Sequence, residues 1–167
     1  MKKLYGSLDN RLMEGRTVPE ITVGMDITMF YWSDREVYYV TKVIDQKHIF
    51  VKKYLVCADK ESNGWKYFKT NSDMNDYLKQ FGESLSSNQL EQPEVEWVYR
   101  NNCWKSVTRW TPEDVQLLRD ELSWFKYPSN FTEKDREKLD SGKQVSKFHK
   151  LEPISFDVRD YYYDYEF

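Results

Sequence analysis

"ITVGMDITMFYWSDREVYYVTKVIDQKHIFVKKYLVC", residues 21–57, decides the fold class. Val23, Met25, Ile27 and Met29 alternate with Gly24, Asp26, Thr28 and Phe30, the two-residue period of a half-buried strand. Ser33-Asp34-Arg35 interrupts it as a turn, and "VYYVTKVID" resumes as a second strand. Gln46-Lys47 is short enough for a hairpin, and "HIFVKKYLVC" is a third strand, all rich in β-branched and aromatic residues. Consecutive strands joined by such short turns predict a strongly bent antiparallel meander. Small barrels of the SH3 or Tudor kind begin with this rhythm, an analogy of pattern alone.

Downstream, "ADKESNG" is a loop and "WKYFKT" a fourth strand. "NSDMNDYLKQFG" places Met74, Tyr77, Leu78 and Phe81 on one stripe, with Asn71 or Ser72 as N-cap and Gly82 as terminator, predicting a helix near 72–82. Residues 83–92 are polar and Ser/Gln-rich, and are expected to form a flexible loop. "EVEWVYRNNCWKSVTRW", residues 94–110, is a hairpin turning at Asn101-Asn102, because Asn tolerates the positive φ of a two-residue turn. That register sets Tyr99 opposite Trp104 and Val98 opposite Lys105. Val95, Trp97, Tyr99 and Trp104 then share one face, with Glu96, Arg100 and Lys105 on the other. Thr111, Pro112 and Asp114 open a helix over 112–126 with a Val115, Leu118, Leu122, Phe125 stripe. "TEKDREKLDSG" predicts a short solvated helix around Leu139, and "KQVSKFHK" leads to the tail. Residues 1–20 are an irregular lead-in.

The expectation is an α+β fold: a strongly bent antiparallel β-sheet, small-barrel-like in its N-terminal half, with two to three helices in insertions. At 167 residues one domain over 1–167 is the default. The alternative is two subdomains divided near 83–92. A net charge of −3 with 17% aromatic residues puts the chain on the folded side of the balance, with a core built largely of rings. No apolar run suits a membrane span and the start lacks a secretory h-region, so the chain is expected to be cytoplasmic and without membrane partners.

Catalytic constellations are thin. His48 and His149 have no Glu or Cys at metal spacing, Cys57 and Cys103 have none to each other, and no phosphate-cradling glycine loop exists. Asp160, Asp164 and Glu166 share a strand face, but Asp160 and Asp164 would stand roughly 13 Å apart, too far for one ion. The expectation is a non-enzymatic protein with no cofactor and no metal. Two binding surfaces compete with it. Lys42, Lys47, Lys52, Lys53 and His48, near Tyr38, Phe50 and Tyr54, combine cations with rings on which bases could stack. Asp34 fixing Arg35 beside Trp32 and Tyr31 would make a preorganised anion or base-stacking site, with Arg100 and Arg109 as secondary candidates.

The terminal segment is "PISFDVRDYYYDYEF", residues 153–167, and residues 151–167 carry one Arg against five acids. As a closing strand it would set Tyr161, Tyr163, Tyr165 and Phe167 in an aromatic row available to the sheet or to a second copy. Asp157, Asp160, Asp164 and Glu166, with Tyr161, Tyr163 and Tyr165, could instead occupy a basic groove on a partner.

Residues 10–53, "NRLMEGRTVPEITVGMDITMFYWSDREVYYVTKVIDQKHIFVKK", with the terminal "FDVRDYYYDYEF", resemble a group of small uncharacterised proteins of tailed bacteriophages and prophages. The group's signature is a Val-Gly-Met-Gly-Ala-Thr strand, a Ser-Asp-Arg turn, a Tyr-Thr-Val strand and a C-terminal Arg-x-x-Tyr-Tyr-Asp-x-Ser-Phe. Here Asp26-Ile27 replaces Gly-Ala, Tyr39-Val40 stands for Thr-Val, and Glu166 replaces Ser. The resemblance covers about a third of the chain and implies a phage or mobile-element origin without a transferable activity. The functional expectation built on it is a counter-defence inhibitor that binds a host immune component, such as a CRISPR effector, or its nucleotide signal. The alternative is a nucleic-acid-binding phage accessory protein using the basic aromatic sheet face.

Overall fold

The computed structural model describes residues 20–31, 34–86 and 90–161. The lead-in up to residue 19, Trp32 and the tail from Tyr162 to Phe167 lie outside them. The elements are β1 (Asp26–Phe30), β2 (Arg35–Asp45), β3 (His48–Lys53), β4 (Leu55–Ala58), β5 (Trp65–Phe68), α1 (Asn71–Lys79), β6 (Val95–Arg100), β7 (Cys103–Trp110), α2 (Pro112–Glu121), α3 (Glu133–Asp140), β8 (Val145–Lys150) and β9 (Ile154–Phe156). Seven strands form one antiparallel sheet in the order β8-β7-β6-β3-β2-β1-β9, and β4 pairs with β5 separately.

The chain passes from one edge of the large sheet to the other through Leu151, Glu152 and Pro153 alone. That link spans at most about 14 Å, whereas the edges of a flat sheet of this order would stand roughly 29 Å apart. The sheet is therefore rolled. Trp104 of β7 meets Phe156 of β9 with ring centroids 5.5 Å apart, across the inside of the roll. No pairing joins β8 to β9 among the described residues, so the roll is not a closed barrel.

Alternation fills its interior. Ile27, Met29, Val40, Ile49, Val51, Trp97, Trp104 and Phe156 form the core, with Tyr38 tilted on Trp97 at 5.1 Å. On the outer side of β1 and β2, Val37, Tyr39 and Tyr54 pack with Val56 and Tyr67 of the second sheet. That sheet in turn packs on α1 through Leu55, Cys57, Met74, Tyr77 and Leu78. At the far end, Val115 of α2, Phe131, Leu139 of α3 and Val145 of β8 form another cluster, closed by Trp110. No helix of the described residues is long and apolar enough to cross a membrane.

The expected α+β architecture is the one found, and the hairpin at Asn101-Asn102 has the expected register, Tyr99 opposite Trp104 and Val98 opposite Lys105. Several boundaries differ for physical reasons. The first strand begins at Asp26 because a turn bonded Met25 N to Thr22 O, with Gly24 at φ +88°, precedes it. The third strand breaks at Tyr54, whose N–H donates to Val37 O while Leu55 turns into the second sheet. The N-cap of α1 is Thr70, not Asn71 or Ser72, and Phe81 is exposed beyond its end. The helix from Pro112 stops at Glu121, where Leu122 is extended, and Leu122 is solvent-exposed. "VSKFHK" is an edge strand, not a lead to the tail. Among the described residues the closing strand spans Ile154–Phe156, and Asp157 at φ +58° ends the alternation there; the rest of the expected strand, from Tyr162 on, lies outside them.

Candidate functional site

Strand register builds one open surface. Phe50 faces Glu96 across β3 and β6, Glu96 faces Val107 across β6 and β7, and Val107 faces Phe148 across β7 and β8. Lys42 of β2 faces Phe50 and extends the row. Partners that stand opposite one another point to the same side of a sheet, and here that side is the outside of the roll. His48, Val98, Lys105 and Lys150 form a parallel row beside it. Phe148 is 41% exposed, and Lys42, Arg100 and Lys150 are exposed.

Rings and cations are interleaved on this face. Lys42 Nζ lies 5.6 Å from the Phe50 ring centre and the Arg100 guanidinium 4.8 Å from that of Phe148. His48 stacks on Phe50 at 5.8 Å and 28°. Between the rings sits Glu96, 8% exposed in its side chain. Its carboxylate accepts from Arg109 Nε at 2.8 Å and from Nη2 at 2.6 Å. His48 Nε2 lies 2.8 Å from Glu96 Oε1 without the alignment of a hydrogen bond. The margin carries Glu94, which accepts from Thr41 Oγ1, and Glu91, which pairs with Lys52 Nζ at 2.8 Å.

Of the basic set expected from the sequence, Lys42, His48 and Phe50 are on this face. Lys53 and Tyr38 are on the opposite side of the sheet, and Tyr54 lies under the second sheet. Arg100 and Arg109 join the face. Glu96, Phe148 and Lys150 were not foreseen, because β8 carries only Val145 and Phe148 as apolar signals among polar residues.

Asp34-Arg35 and the segment over residues 157–161 lie together. Tyr31 N donates to Asp34 O at 2.8 Å, Arg35 lies 5.8 Å over Phe30, and Arg35 Nη1 pairs with Asp160. Tyr161 packs on Trp65 at 4.7 Å and its N–H donates to Tyr67 Oη at 3.1 Å. Asp157 takes the left-handed turn, with its N–H on Asp26 O. Trp32, Tyr163, Asp164, Tyr165 and Glu166 lie outside the described residues.

A cleft of about 1170 Å³ runs between the large and small sheets, with Tyr31, Arg35, Glu36, Lys53, Trp65 and Tyr161 on its walls. Its polar groups satisfy each other. Glu36 accepts from Tyr31 Oη at 3.0 Å, from Tyr38 Oη at 2.7 Å and from Lys53 Nζ. Burial works to raise the Glu36 carboxyl, but the bonds from Lys53 and Tyr38 outweigh it and hold it below the usual range. Burial, reinforced by the Glu36 charge, pushes both tyrosine hydroxyls well up. Among the described residues no His, Cys, Asp and Glu side chains are grouped to hold a metal ion.

The chain matches no family model, no curated protein and no solved structure.

Proposed function

We propose that the protein binds single-stranded nucleic acid across the outer face of its rolled sheet, as a non-enzymatic accessory protein of phage or mobile-element origin. The observation that carries this reading is the row Lys42, Phe50, Glu96, Val107, Phe148 with His48, Lys105 and Lys150 beside it. A half-buried ring, Phe50, and an exposed one, Phe148, three strands apart and each with a cation over it, suit unstacked bases and the phosphates between them. A duplex keeps its base faces inside the helix, so such rings would gain nothing from it. The net charge of −3 argues against indiscriminate binding to polyanions, but not against a local patch. The origin rests on the resemblance of residues 10–53 and the terminal segment.

Fluorescence anisotropy with labelled single strands, ribo and deoxyribo, against the matching duplex tests the proposal. Single strands should bind with a steep salt dependence, and the duplex weakly. Phe148→Ala should lose about 1–3 kcal/mol of affinity, the worth of one stacked base. Lys105→Glu with Lys150→Glu should abolish binding at physiological salt. Equal affinity of wild type and the double reversal would overturn the proposal.

The expected counter-defence role, binding a host protein or nucleotide signal, drew on the tail and on the Ser-Asp-Arg turn. Within the described residues Arg35 and Asp160 are paired and Tyr161 packs on Trp65, so those groups are used inside the chain. That favours the sheet face as the binding surface.

A further inference from the structure

We infer that Arg109, held in place by Glu96, recognises a guanine in the strand bound on this face; the inference rests on the nucleic-acid reading above. Arg109 spends its Nε and one Nη2 proton on the two oxygens of Glu96. Its side chain is 49% exposed, and no other acceptor among the described residues takes its remaining protons. The inner edge of the guanidinium is therefore locked against a buried carboxylate, and the outer edge, Nη1 with the second Nη2 proton, presents two parallel donors. Guanine offers two acceptors, O6 and N7, at the spacing of such a fork. Adenine places an amino donor where guanine has O6, and cannot satisfy both.

Charge separates this role from plain phosphate binding. Glu96 neutralises Arg109, so the pair contributes little to the attraction for a polyanion, while Arg100, Lys105 and Lys150 supply that attraction. What Arg109 contributes is fixed hydrogen-bond geometry. Position agrees: Arg109 is two residues from Val107 on β7 and stands opposite Ser146, while Phe148 stands opposite Val107. Arg109 and Phe148 are thus diagonal neighbours, roughly 7–8 Å apart at their backbones. A base stacked on Phe148 brings its edge to Arg109.

The test is a short thymidine oligonucleotide carrying one central guanine, inosine, 7-deazaguanine, adenine or cytosine, measured by anisotropy in ribo and deoxyribo form. Guanine and inosine, which share O6 and N7, should bind about tenfold tighter than adenine or 7-deazaguanine. Arg109→Lys keeps the charge but not the planar fork, and should erase the preference, so that the five substituted strands bind alike. Glu96→Gln should reduce the preference and tighten plain-strand binding, because the arginine charge is then uncompensated. If wild type binds all substituted strands alike, prefers cytosine, or keeps its guanine preference in Arg109→Lys, the inference is overturned while the proposed function stands. If no strand binds at all, both fall.

Discussion

Thr28 and Val158 are joined by a 2.8 Å hydrogen bond from a fully buried hydroxyl to a carbonyl 130 residues away. The same oxygen accepts from Asp160 N at 3.1 Å. One side chain in β1 thus satisfies two backbone groups of the segment beyond β9. Thr28→Val keeps the shape and deletes both bonds, and should cost about 1–3 kcal/mol in urea denaturation. Thr28→Ser should retain most of that. If the valine variant is as stable as wild type, Arg35 and Asp160 hold this segment, and the hydroxyl does not.

Alkaline pH should unfold the protein through its tyrosines. Tyr54 Oη donates to Asp26 Oδ1 at 2.7 Å, and burial, followed by that bond, pushes its hydroxyl up to about 12. Tyr31 and Tyr38 are raised in the same direction. Folding favours the neutral form, so the stabilisation is full below the ordinary tyrosine value of about 10 and is lost as pH rises through the folded value. Absorbance titration of tyrosinate should show an early step from exposed rings and a later one coincident with loss of structure. A single step near the ordinary value would refute this. Asp26→Asn should lower Tyr54 most, and Tyr67 to a lesser degree, while leaving Tyr31 and Tyr38 in place.

At the acid end the sensitive contact is Asp135. Lys147 Nζ, then Thr132, hold its carboxyl well below the usual range. A depressed value stabilises the fold above the unfolded value of about 4 and loses that contribution as pH falls further. Hydrogen exchange should show α3 opening on acidification before the strands of the roll do. In Lys147→Met the opening of α3 should begin at higher pH, and an unchanged profile would remove this ion pair from the account.

The hairpin between β6 and β7 offers a backbone test. Asn101 and Asn102 sit at φ +56° and +60°. Asn101→Ile should cost roughly 1–2 kcal/mol from the left-handed conformation alone. Asn102→Gly should be neutral or stabilising in a thermal melt. The opposite order would mean the turn relaxes at little cost.

Local chemistry explains which features the sequence disclosed. The Asn101-Asn102 turn, the Gln46-Lys47 turn and the Thr111–Asp114 capping box depend on neighbouring residues, and each appears where residue type placed it. Tyr54 and Leu55 are consecutive buried residues, so alternation could not reveal that the strand there leaves one sheet for another. The site was half legible. Lys42, His48 and Phe50 cluster along the chain, but Glu96, Arg109 and Phe148 join them only through register across four strands. A lone Glu in an alternating hairpin looks like an ordinary solvent-facing residue; its neighbours are His48 and Phe50 from an earlier strand and Val107 and Arg109 from the next one, which only the register brings together.

The three-residue link between β8 and β9 also has a bearing on biosynthesis. Both rims of the roll, β8 and β9, follow every other described strand in chain order, and they cap opposite ends of a sheet whose other strands are already made when they emerge. Until then the nascent chain presents two bare edges, and its apolar interior around Trp97 and Trp104 has no lid. Chaperone occupancy should therefore persist until residues 145–156 have emerged, and a message cut short before residue 145 would yield a sticky half-shell with no folded product.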